Sequence, residues 1–275
     1  MPRADVAAEV RALVEAGDGP AALARVARVW REAWFNTGDM EGGAAVAAAA
    51  LGASGAEQPS VDRARVLYAD HLFAFRVGDQ VRARERAEEC LRVGRAAADL
   101  RGECDGLTGL ARVAFRDGDF DRVVELARAG RAKAQAADDR AAEAGPLHLE
   151  AAGTRLGGDH ARARELYMQS LELARELGND GMVANELHNL GWVELHLGDL
   201  VGAERRFREF EEAANAAHHR PWVELDRAAI AAARGDADEA QARLAAGEVR
   251  LAEAGLTQDP DDQYELDWLR AQVRS

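Results

Sequence analysis

A chain of 275 residues with 35 Lys and Arg against 49 Asp and Glu carries a formal charge of -14, which argues against a general affinity for nucleic acid or anionic membrane. The residues are 48% apolar and 31% charged, ordinary for a folded chain and wrong for a disordered one; only 5% are aromatic, and the apolar share leans on alanine, the strongest helix former. No apolar run reaches the length of a membrane span or a signal-peptide core, and Cys90 and Cys104 are too few for a disulfide framework and lack metal-ligand spacing, so reduced, half-buried thiols in a cytoplasmic protein are expected.

An amphipathic helix carrying Glu9, Arg11 and Glu15 is expected from Ala4 to Ala16. The chain then repeats itself. Gly-Asp recurs at Gly38-Asp39, Gly78-Asp79, Gly118-Asp119, Gly158-Asp159 and Gly198-Asp199, always 40 residues apart, and returns at Gly235-Asp236 after 37. Glycine accepts the left-handed conformation that closes one helix, and the aspartate caps the amides that open the next, so each pair predicts the turn inside a helical hairpin. Leu67, Leu107, Leu147 and Leu187 keep the same beat before the turn, as do Phe35, Phe75 and Phe115. After it come Ala83, Ala163, Ala203 and Ala240, where a small side chain lets two helices approach.

The weakest stretch runs from Gly42 to Ser60. Its small residues predict a thinly packed alanine helix followed by a long loop, the most mobile part of the chain. Polar joints separate later hairpins at Asp138-Asp139-Arg140, Gly178-Asn179-Asp180-Gly181 and His218-His219-Arg220-Pro221, with Pro221 suited to a first helical turn. A last helix is expected from Asp262 to Val273, where Trp268 and Leu269 either cap the array or mediate self-association. The sum is about fourteen helices and no strand: an all-α repeat domain over 1-275, with a capping helix in 1-19, about six hairpins in 20-256 and a second cap in 257-275.

Leu190-Gly191 before Gly198-Asp199, with Ala203 and Phe207 after it, resembles the tetratricopeptide repeat signature. The resemblance spans roughly Pro20 to Leu256. It is closest to the longer, 40-residue variants of bacterial transcriptional activators of the maltose-regulator type and of kinesin light chains. HEAT and armadillo repeats share the period, but the Gly-Asp turn and the small residue after it favour tetratricopeptide. The likeness implies a right-handed α-α superhelix, a solenoid whose first helices line the concave side. The sequence departs from the signature at Trp30-Arg31, Asp70-His71 and Glu150-Ala151, which stand where Leu-Gly is expected. Glu194 falls on a packing face, and these polar positions are read as lying near a solvent-lined seam.

On the helix from Asp180 to Leu197, helical spacing gathers Val183, Leu187, Leu190 and Leu197 on one side. Asn185, His188, Asn189, Trp192 and His196 share the opposite arc, expected to face the groove with Trp192 exposed. The same offsets in other repeats give Tyr68, Leu72 and Arg76, then Thr108, Arg112 and Arg116, then His148 and Arg155. With Arg65 they predict a basic, aromatic ligand-binding groove that focuses attraction on an anionic group. In tetratricopeptide proteins that bind peptides, asparagines and cations of the first helices hold the peptide backbone or its terminal carboxylate. The resemblance gives that role to Asn185 and Asn189, with His188 and Arg155 nearby.

No phosphate-binding loop ending in Gly-Lys, no His-Glu-x-x-His and no Gly-x-Ser-x-Gly is present, and Gly17-Asp18-Gly19 lacks the lysine a nucleotide needs. His148 and His188 are expected on helices about 10 Å apart, too far to share a metal, and His218-His219 is expected to be solvated. No cofactor and no metal is therefore expected. The leading expectation is a non-catalytic scaffold or adaptor for a protein or peptide, with an anionic or C-terminal carboxylate group as the feature held and no nucleic-acid or membrane partner. The alternatives are a regulatory module sensing a small molecule or signalling peptide, and an accessory protein or enzyme using Tyr68, His148 and His188.

Overall fold

A computed structural model describes residues 3-213, 220-254 and 259-274. The expected joint at His218-His219 lies outside them. Fourteen α-helices are present, and no strand among the described residues. They are α1 (Arg3–Glu15), α2 (Gly19–Trp30), α3 (Met40–Leu51), α4 (Val61–Arg76), α5 (Gln80–Ala96), α6 (Leu100–Arg116) and α7 (Phe120–Ala136). There follow α8 (Arg140–Leu156), α9 (His160–Glu176), α10 (Asp180–His196), α11 (Leu200–Ala213), α12 (Arg220–Ala233), α13 (Ala237–Ala254) and α14 (Pro260–Gln272). A single π turn, Arg31–Phe35, continues α2. No described helix is long and apolar enough to cross a membrane.

The turns form as their chemistry dictates. Gly38, Gly78, Gly118, Gly158, Gly198 and Gly235 all have positive φ, from 76° to 92°. At Gly78 the closing bonds run from Gly78 N to Phe75 O (3.2 Å) and from Asp79 N to Ala74 O (2.9 Å), a Schellman ending. Asp79 then accepts the Arg82 amide at 3.0 Å, and Asp159 and Asp199 repeat the cap at Arg162 and Gly202. The joints between hairpins use the same device with less telling letters: Ala98-Asp99 and Asp138-Asp139 place non-glycine residues at φ 52° and 53°. The hairpin signature also has a packing reason. A Cβ on Gly191 would overlap the Phe207 ring, so α10 and α11 meet at this distance only because the residue is glycine.

The helices gather into two compact units, 1-117 with 125-146 and 118-124 with 147-275. The first has a core around Leu23, Val26, Trp30, Trp34, Leu67 and Phe73. The second is centred on Trp192, Phe207, Leu225, Leu266 and Leu269. Leu269 is wholly buried there, and Trp268 packs partly against the same cluster.

Several expectations need correction. The Gly42 to Ser60 stretch is well packed: Ala47, Ala50 and Ala56 are fully buried, Gly43 lets the Phe73 ring approach, and Gly19 N donates to Ser54 O at 3.0 Å. Both cysteines are buried outright rather than half-buried. Apart from Arg31, which is exposed, the polar departures from the signature are buried rather than at a seam. Asp70 and His71 are fully enclosed and Glu150 and Glu194 nearly so. Asp70 is held by Arg82 at 2.6 Å and Arg86 at 2.8 Å, Glu194 by Arg206 at 3.5 Å. Leu197, expected on the packing face, is exposed because it stands at the C-cap, past the last helical turn.

Candidate ligand-binding site

In the first unit the basic residues converge on a cavity of about 200 Å³. Helix α2 supplies Arg28, and the π turn swings Arg31 over the Trp30 ring, 4.5 Å from its centroid. Such a bulge shifts side chains out of α-helical register and recurs at functional sites. Helix α4 adds Arg65 and Tyr68, one turn apart, and α6 adds Arg101 and Asp105.

The charges there are not equivalent. Arg101 is neutralised by Asp105 at 2.9 Å and Asp139 at 2.7 Å. Burial raises the Asp105 carboxyl, and Arg101 opposes that rise. Arg28, Arg31 and Arg65 have no carboxylate within ion-pair distance among the described residues. Tyr68 is almost buried, stacked on His71 with ring centroids 5.9 Å apart. Burial raises its phenol pKa, and Arg112, the strongest opposing charge, pulls it back. The cavity therefore combines three guanidinium groups lying outside ion-pair distance of its two acids, Glu32 and Asp105, with an aromatic wall, a chemistry suited to carboxylate or phosphate oxygens.

Of the residues expected in the groove, Arg65 and Tyr68 come together here, while Arg112 acts on Tyr68 electrostatically without lining the cavity. Leu72 is a buried packing residue, and Thr108 is buried with its hydroxyl donating to Cys104 O at 2.7 Å. Arg76 is exposed away from the cavity, and Arg116 lies over the Phe75 ring at 3.6 Å, its Nη1 donating to Phe75 O. Arg28 and Arg31 were not anticipated. Arg28 was legible, since it stands 40 residues before Tyr68 in the register of Tyr68, Thr108, His148 and His188. Arg31 reaches the cavity by the π turn, which leaves no mark in a repeat count.

The second unit corrects the rest of the expected groove. Trp192 is not exposed: it is fully buried, its Nε1 donating to Asp226 at 3.0 Å and its ring edge-on to Trp268 at 5.7 Å. The cause is α14, which lays its own side chains on α8 and α10. Arg155 is fully enclosed, pairing with Glu265 at 2.6 Å and Asp261 at 3.6 Å. His188 is held between Asp226 and Glu265, each at 3.1 Å. Burial disfavours its charge, but the two carboxylates outweigh that and hold it well above its ordinary pKa. His196 stacks on His160 at 4.9 Å and packs against Tyr264, and His148 meets Glu186 at 3.0 Å. Asn185 stays exposed, and Asn189 is buried beside a cavity of about 170 Å³. The cations expected to meet an anionic ligand here are matched by the chain's own acids.

A tetratricopeptide-repeat family model matches residues 147-216, the stretch that holds the Leu190-Gly191 signature. Residues 147-216 are thus tetratricopeptide-repeat sequence, set within an all-α array of helical hairpins. No curated protein matches it. Among solved structures it is similar to a Rap protein complexed with Competence and Sporulation Factor, at 17% identity over 98% of this chain and 80% of that one, with a TM-score of 0.61. The apo form of RapI aligns at 11% identity over 87% and 94% of the two chains, TM-score 0.60. Aspartyl phosphate phosphatase F from Bacillus subtilis aligns at 9% over 93% and 67%, TM-score 0.58. At these identities the likeness is one of fold, an all-α array of helical hairpins.

Proposed function

We propose that this protein is a non-catalytic binding module that holds an anionic group, such as a terminal carboxylate, of a protein or peptide partner in the cavity of Arg28, Arg31, Arg65 and Tyr68. The supporting observation is the set of three unpaired guanidinium groups around one cavity in a chain with a net charge of -14. Their mutual repulsion is offset when a ligand brings negative charge, and bidentate guanidinium bonds give the contact its direction. A non-catalytic role agrees with His188, whose ring nitrogens are both engaged by carboxylates. Two buried free thiols fit a cytoplasmic setting.

The test is fluorescence anisotropy with a labelled hexaglutamate peptide, its C-terminus free or amidated. Arg28→Ala and Arg65→Ala should each weaken binding about tenfold, the loss of one charge-assisted contact, while Arg76→Ala leaves it unchanged. Equal binding by all three variants refutes the reading. A second reading, a sensing module for a signalling peptide or small molecule, is favoured by the likeness to the Rap protein complexed with Competence and Sporulation Factor. Both readings use the same cavity; they differ in whether occupancy changes the conformation.

A further inference from the structure

The cavity of the first unit carries more positive charge than one carboxylate can neutralise. Four guanidinium groups on its wall, Arg28, Arg31, Arg65 and Arg101, face two carboxyls, Glu32 and Asp105, a surplus of two. Asp139, which pairs with Arg101 from outside the wall, is offset by Arg112, also outside it, whose charge acts on Tyr68. A single carboxylate cancels half of that surplus. A phosphoryl monoester, with a charge of about -1.5 to -2 at pH 7, cancels nearly all of it.

The placing of the cations points the same way. Arg28 comes from α2, Arg31 from the π turn and Arg65 from α4, and all three residues are exposed, so a ligand reaches them without any part of the fold opening. Arg31 is held ready: its guanidinium carbon lies 4.5 Å from the Trp30 ring centroid and 5.7 Å from that of Phe35. These contacts fix the group while no carboxylate among the described residues claims its donors. A carboxylate offers two oxygens in one plane, whereas a phosphoryl group offers three at tetrahedral angles, one for each of three cations arriving from separate elements. The volume of about 200 Å³, roughly six waters, holds a phosphoryl group and the methylene that carries it. Asp105 does not compete for these cations, since it is engaged with Arg101 at 2.9 Å.

Given the anion-binding reading proposed above, on which this step rests, we infer that the cavity selects a dianionic phosphoryl monoester over a carboxylate, with Arg28, Arg31 and Arg65 each donating to one terminal oxygen. A sulfate ester has the same shape with a single charge, which separates the contribution of charge from that of geometry.

The test is fluorescence anisotropy of the full chain with a labelled alanine pentapeptide, blocked at both ends, whose central residue is phosphoserine, sulfoserine or glutamate. The phosphoserine peptide should bind about tenfold or more tighter than either of the others. Arg28→Gln and Arg65→Gln should each reduce that ratio to about threefold or less, while Arg76→Gln leaves it unchanged. These side chains are exposed, so the variants probe the site rather than the fold. Unlabelled phenyl phosphate separates the two sources of such a group. Displacement of the phosphoserine peptide by phenyl phosphate as readily as by the unlabelled peptide assigns a small phosphate monoester; displacement by the peptide alone assigns a phosphorylated side chain. Either supports the inference. Equal affinity for the phosphoserine and sulfoserine peptides, or for all three, overturns it and leaves the anion-binding reading standing where hexaglutamate still binds. A preference for phosphoserine that survives both Arg28→Gln and Arg65→Gln overturns it as well. Binding of neither the pentapeptides nor hexaglutamate overturns both.

Discussion

Arg155 on α8 and Glu265 on α14 form a fully buried ion pair, Nη1 to Oε1 at 2.6 Å, across 110 residues of chain. Glu265 also accepts from His188 Nε2, and the two cations together hold its carboxyl below the usual range despite burial. One acid thus fixes α14 to both α8 and α10. Removing either partner leaves a buried charge only partly compensated, Glu265 by His188 or Arg155 by Asp261, so Arg155→Ala or Glu265→Ala should each cost roughly 3 kcal/mol in urea unfolding, the low end for a broken buried pair. The double variant Arg155→Met, Glu265→Met should recover most of that. Single variants as stable as wild type would show that the pair contributes nothing.

Acid should loosen the first unit before its surface acids account for the loss. His71 is fully buried, its Nδ1 2.8 Å from Ala83 O, and burial lowers its pKa to about 4. Because the folded value lies below the unfolded one, the neutral ring's contribution is complete above about pH 6.5 and is lost as pH falls toward 4. His188 has the opposite sign: raised in the fold, it stabilises below its unfolded pKa, and that contribution fades as pH rises through the folded value. Imidazole NMR titration checks both. His71 should remain neutral at pH 6 while His188 remains protonated at pH 7.

Gly191→Ala should destabilise by about 1 to 3 kcal/mol, because its Cβ would enter the Phe207 ring. Gly198→Ala meets nothing within 4 Å, yet its φ of 80° makes the left-handed strain alone cost about 1 kcal/mol. Conversely, Ala98→Gly, at φ 52°, relieves that strain and should be neutral to stabilising, in contrast to glycine in a helix interior. Thermal melts of the three variants decide the matter; a Gly191→Ala variant melting with wild type would contradict the packing argument.

These contrasts explain what was legible. Left-handed turns and their caps depend on local chemistry, so Gly-Asp marked six of them from the letters alone, and the helix count followed. Ala98-Asp99 makes the same turn without glycine and escaped notice. Helical spacing placed Asn185, His188, Asn189 and Trp192 on one arc, and they are neighbours. What covers that arc is Trp268, Glu265 and Asp261, whose positions depend on tertiary packing of a helix distant in sequence. An amphipathic pattern has no access to that, and it therefore predicts an exposed Trp192. The basic cavity was half visible: register reaches Arg28, whereas the π turn that delivers Arg31 was not foreseen.

The charge reversal Arg65→Glu tests the central claim most directly. Anisotropy with labelled hexaglutamate should show affinity falling about a hundredfold, because an attraction becomes a repulsion, while Arg76→Glu on the same helix falls by much less. Equal losses for the two variants would mean that hexaglutamate senses only the overall charge, and no loss for Arg65→Glu would mean that the cavity does not hold the anion.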